Sequence, residues 1–228
     1  MRLGRVSIKS LAVAAGLFMF SKGAVFAADP APRYVQPDAS YGHGAVANGE
    51  WAFLELANGA RIAPPAGAVF EGIAPLIAPD GTLYAVESSQ SEGSRIVKMS
   101  PQGALIAAGD WIGTRHRWLS LAGWGVEQGQ TYVIAVDRPH LRGDLLSVRQ
   151  DGDRLISQVI YQGVTNHQYR SATLWGGMRD CPQGGNFVFA TMDWQTAVRL
   201  EVTAFSARAV GQVAGAGPRA LSAAMACD

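Results

Sequence analysis

Residues 114–124 read TRHRWLSLAGW and residues 165–175 read TNHQYRSATLW, so both fit T-x-H-x-[WY]-x-S-x-x-x-W without a gap. A pattern this long, returning after 51 residues, constrains the fold more than any short motif does, because repetition must be read as architecture before it is read as chemistry. Other landmarks keep a similar step. GQTYVIAVD (129–137) is echoed by GNFVFATMD (185–193) and more loosely by GTLYAVE (81–87), each an apolar run opened by glycine and closed by an acid. A second strand-like run follows each: RIVKM (95–99), DLLSV (144–148) and AVRLEV (197–202).

The turns between runs carry their own signal. AFLEL (52–56) leads into Asn58-Gly59, RIVKM into Gln102-Gly103 and DLLSV into Asp151-Gly152, ahead of the runs ARIA, ALIAA and DRLISQVI. Such pairs between apolar runs predict hairpins, with both central residues at positive φ. Calling the strands of one repeat a, b, c and d, strand a falls at 68–77, 118–124 and 169–175, and again at RALSAAMA (219–226), where nothing follows it. At the other end GHGAVA (42–47) reads as a poor strand b with no strand a before it.

The chain therefore reads b-c-d, three times a-b-c-d, then a lone a. A ring whose last strand completes its first unit has no free sheet edges. The expectation is an all-β fold, a small β-propeller of about four four-stranded repeats closed by the C-terminal strand. A β-trefoil and a β-sandwich compete with it. The 27 glycines and the lack of a long helical period favour β structure in all three.

PDGTLYAV (79–86) and RGDLLSVRQDG (142–152) resemble the repeats of tachylectin-type sugar-binding propellers, and the placement of His and Asp is similar to that in WD repeats. The first resemblance implies carbohydrate binding. The second implies that His116 and His167, before strand a, are tied by hydrogen bonds to Asp137 and Asp193, after strand b.

Around this repeat domain (41–228) the ends read differently. Residues 1–27 hold Arg2, Arg5 and Lys9, a mostly apolar run and a Val-Phe-Ala ending, which is the layout of a signal peptide. Residues 28–40 are an N-terminal extension. Cleavage after Ala27 removes four of the 19 basic residues and leaves 15 against 18 acidic ones, a formal charge of −3. With Lys98 the only lysine left and no arginine cluster, nucleic acid is not an expected partner. No later run is long enough to span a bilayer. Cys181 and Cys227 both fall in the exported part, so they are expected to form one disulfide, and the location is periplasmic or secreted.

Candidate site residues come from the repeat. Trp118, Tyr169, Trp124 and Trp175 offer rings for stacking on a sugar face, with His116 and His167 as polar contacts. Arg142-Gly143-Asp144, in a b-to-c loop, resembles the integrin-recognition tripeptide and marks a candidate adhesion loop. The four histidines, His43, His116, His140 and His167, lack metal-ligand spacing, so neither metal nor cofactor is expected. There is no G-x-S-x-G, P-loop or H-E-x-x-H, although scattered acids leave a glycosidase-like pair open. The expected function is binding of a glycan or an envelope component, with recognition of an envelope or host surface protein as the alternative and a glycan-directed hydrolase behind both.

Overall fold

The structure, a computed structural model, describes residues 31–182 and 185–227. The signal-peptide expectation lies outside the described residues. Of the expected N-terminal extension, Arg33–Pro37 forms a strand, β1, which pairs antiparallel with β2 (Glu50–Glu55). The fold is all-β, with two sheets and one C-terminal helix among the described residues.

Three antiparallel meanders follow. The first comprises β3 (Arg61–Ile62), β4 (Ala68–Glu71), β5 (Leu76–Ile77), β6 (Leu83–Ser89), β7 (Gly93–Met99) and β8 (Leu105–Gly109). The second is β9 (Leu119–Glu127), β10 (Gln130–Asp137), β11 (Asp144–Asp151) and β12 (Arg154–Gln162). The third is β13 (Val164–Thr165), β14 (Gly177–Met178), β15 (Phe187–Thr191), β16 (Thr196–Val202) and β17 (Ala207–Ala214). A short parallel contact between β8 and β12 joins the first two, together with β1 and β2, into one sheet of twelve strands, and the third is a separate sheet of five.

Alternation along the central strands explains the stacking. On β10, Val133 and Ala135 pack toward the first meander with Tyr84, Val86 and Leu146, whereas Tyr132, Ile134 and Val136 pack toward the third with Phe187, Phe189 and Leu200. The central strands β10 and β11 are thus covered on both faces over most of their length, which is why they hold nearly continuous apolar runs, whereas β12 is largely exposed. The two sheets approach closely at β9 and β14. A Cβ on Gly123 would lie 2.5 Å from the Met178 side chain, and one on Gly177 would lie 2.5 Å from the Ala122 carbonyl; both residues also hold φ values near +150° that only glycine adopts readily.

Several expectations are corrected. The closing strand at 219–226 is instead the helix α1 (Pro218–Met225). Pro218 starts it and Leu221 and Ala224 bury its apolar face against Val188, Ala190 and Ala197 of the third meander. Alanine-rich sequence with apolar residues three apart suits that geometry better than a ladder. Residues 42–47 form no strand, because the Glu50 carboxylate gathers the N–H groups of Gly42, His43 and Gly44 into a loop. Residues 169–175 form a loop too, and β13 and β14 take the expected place beside β15. The three predicted turns exist, but positive φ falls on Gly59, Gly103 and Gly152 alone. Between β11 and β12 the two-residue loop is Gly152-Asp153, with glycine first as in a type II′ turn.

The expected disulfide joins Cys181 to Cys227 with a Cα–Cα distance of 5.5 Å, fastening the end of α1 to the loop between β14 and β15. No helix among the described residues is long and apolar enough to cross a membrane.

Candidate ligand site

Four loops meet at one end of the molecule: 41–44, 114–118, 138–142 and 165–171. They bring the chain's four histidines into ring contact around a cavity of about 340 Å³, lined by His43, His116, Trp118, Arg138, His140 and Tyr169 among others. Sequence spacing shows no metal-ligand pattern because each histidine sits on a different connection.

Each ring is held by identifiable partners. The loop around Glu50 presents His43, whose Nδ1 donates to Glu71 Oε1 at 2.6 Å. Glu71 is fully buried and its other oxygen accepts from Ser88 Oγ, which contacts Ser94 Oγ. With Nδ1 committed to a carboxylate, the neutral His43 ring has Nε2 as its acceptor. His116, at φ +57°, stacks on His43 at 5.1 Å between centroids, and its backbone N–H donates to the Tyr41 hydroxyl. Burial, then the nearby Glu71, pushes the Tyr41 hydroxyl up to about 12.

The other pair is fixed more tightly. His167 Nε2 lies 2.9 Å from the Ser171 carbonyl, which can only accept, so that nitrogen carries the proton. Its Nδ1 then accepts from His140 Nε2 at 2.8 Å, leaving His140 Nδ1 with a lone pair and no partner among the described residues. Burial, with His167 and His43 adding to it, pushes His140 down to about 4. Burial also lowers His167, against the opposing effect of the Ser171 carbonyl. Both rings are therefore neutral near pH 7, and their tautomers are set by the backbone. Trp118 sits edge-to-face on His167 and stacks on His140, and Tyr169 meets His140 edge-on.

The expected residues divide. His116, Trp118 and Tyr169 line the cavity and His167 supports it from behind. Trp118 is buried, with Nε1 unpaired, whereas Tyr169 is 56% exposed. Trp124 and Trp175 are not part of it; they pack against separate core clusters. His43, His140 and Arg138 were not expected. Scarcity was the available signal for the histidines, since the chain has only four.

The expected His–Asp ties are absent. Asp137 instead accepts from Arg117 Nε and Nη2 at 3.1 and 2.6 Å and from Arg138, because a guanidinium can meet both carboxylate oxygens where an imidazole meets one. Asp193 caps its own turn through Thr191 and Gln195. The Arg142-Gly143-Asp144 loop keeps its acid inside: Asp144 is buried and engaged by Arg138, Arg142 and Gln162. Only Arg142 of that tripeptide presents its side chain to solvent, and an added Cβ on Gly143 would sit 2.2 Å from the Val164 carbonyl. Asp137 and Asp144 face each other across β10 and β11, but both are occupied by guanidinium groups, an arrangement unlike a glycosidase's free acid and base. Among the described residues no group of three or more His, Cys, Asp or Glu is arranged to hold a metal ion.

No family model matches this sequence, and no curated protein matches it. Among solved structures it is similar to the crystal structure of a protein of unknown function from Bacteroides caccae, at 18% identity and a TM-score of 0.41. The match covers 75% of this chain and 58% of that one, a level at which it carries no argument about fold or function.

Proposed function

We propose that the protein is an exported binding domain whose histidine-walled cavity holds a saccharide. One observation supports this most directly: neutral imidazoles in fixed tautomers offer His140 Nδ1, and His43 Nε2 in its neutral form, as acceptors beside the exposed ring of Tyr169. Hydroxyl groups suit such acceptors, and the C–H face of a sugar ring suits the aromatic surface. A volume of about 340 Å³ accommodates a small saccharide. The meander repeat is consistent with a propeller-like arrangement, which remains part of the proposal, as do export and cleavage after Ala27.

A glycan array followed by calorimetry tests this. A sugar should bind with saturation, and Tyr169→Ala and His140→Ala should each weaken it by about tenfold or more, the scale of a lost ring contact or hydrogen bond. If the folded protein binds no glycan, or both variants bind as tightly as the parent, the saccharide assignment is wrong. Leu141, 80% exposed at the cavity rim, favours a second reading in which the same end docks a surface protein. Co-purification of one partner, lost in Leu141→Asp, would replace the sugar with that partner.

A further inference from the structure

A second cavity of about 340 Å³ shares Arg138 with the first but has a different chemistry. It lies at the seam between the first two meanders. There β12 pairs with β8 only at Arg154–Ala108 and Leu155–Gly109, and then runs on to Gln162 after β8 has ended. The gap that opens is floored by Ile96, Leu119, Leu146 and Val148, all buried, with Val159 at its rim, 48% exposed.

One end is charged. Arg117, Arg138 and Arg142 gather around Asp137 and Asp144, so three guanidinium groups face two carboxylates. The third acid of the lining, Asp110, is matched by Arg154 through contacts of 2.9 and 2.7 Å. One positive charge is left over. Arg142 is the residue placed to use it: its side chain is 57% exposed, with Nε 2.8 Å from Asp144 Oδ2.

We propose that this cavity binds an aliphatic monocarboxylate, with its tail over the apolar floor and its carboxylate on Arg142. The single unmatched charge selects a monoanion, and a guanidinium edge fits a planar carboxylate. A sugar is disfavoured here because its hydroxyls would lie unpaired against aliphatic walls. This site is therefore separate from the saccharide cavity.

Titration calorimetry of the mature chain with octanoate tests the assignment, with octanol as the uncharged ligand of equal tail. Octanoate should bind with saturation, while octanol, and octanoate with Arg142→Ala, should bind about tenfold more weakly or worse, as expected when a charge-assisted contact is lost. Val159→Trp should block the cavity while leaving the far-UV spectrum unchanged. Should that variant unfold, Arg142→Ala carries the test, since the Arg142 side chain is 57% exposed and Arg138 and Gln162 still engage the buried Asp144. Absence of saturable octanoate binding by the folded parent, equal affinity for octanol, or full affinity in Arg142→Ala would overturn the proposal. Tyr169→Ala should leave octanoate affinity unchanged, so failure at the saccharide cavity is distinguishable from failure here.

Discussion

The two copies of the eleven-residue pattern end in different backbones. In residues 114–124 the second half runs straight into β9, which pairs along the whole of β10. In residues 165–175 the chain folds back on itself: His167 bridges Leu174, Trp175 N–H returns to the Asn166 carbonyl, and Ser171 Oγ accepts from Thr173 N–H. That loop is also pinned from outside, by Arg170 N–H to the Ala45 carbonyl and Ala47 N–H to the Ser171 carbonyl. What the copies share is the end at which their histidines arrive. The repeat thus reports a common destination for side chains, while the partners available to each backbone decide between ladder and loop.

The largest contrast should appear at the acids after strand b. Asp137→Ala should cost about 3–5 kcal/mol, because it strands Arg117 and leaves Arg138 with Asp144 alone in a partly buried network. Asp193→Ala, at an exposed turn, should leave the urea midpoint nearly unmoved. Equal losses would mean that the two meanders rely on these acids alike. The histidines come next. Replacing the fully buried His167 with alanine removes its contacts to His140, Ser171 and Trp118 and should cost about 2–3 kcal/mol. For the half-buried His116 the loss should stay below about 1 kcal/mol. Denaturation curves showing the reverse order would undo the assignment of His167 as the cavity's support.

The remaining contrast is a pH dependence. Because burial holds His140 at about 4, below its ordinary 6.5, and lowers His167 too, the unfolded chain takes up protons that the folded one refuses. The stability from these neutral rings is complete above about 6.5 and is lost as the pH falls toward 4. Unfolding midpoints measured across that range should decline in the parent and decline less in His140→Gln. An identical slope in both would show that the buried pair does not titrate as described.

Much of the fold was legible. Glycine-opened apolar runs located β6, β10 and β15, and the runs after them located β7, β11 and β16, because alternation and turn chemistry are local properties. The C-terminal segment misled because spacing alone placed a strand at 219–226, where Pro218 and an alanine-rich stretch make α1. The candidate site was half legible. Trp118, Tyr169, His116 and His167 stood out by repetition, whereas His43 and His140 belong to no repeat and carry no spacing signal.

By itself, then, the sequence determined the all-β class, the order of the central strands and the pairing of its two cysteines, since these follow from periodicity, turn residues and a count of two. Only the tertiary structure decided that Asp137 belongs to Arg117 rather than His116, that Asp144 is turned inward, and that three distant histidines line one cavity with His167 behind them. The physical reason is that strand formation is set by neighbours along the chain, whereas a buried polar group takes whichever partner the packed loops bring within hydrogen-bonding reach.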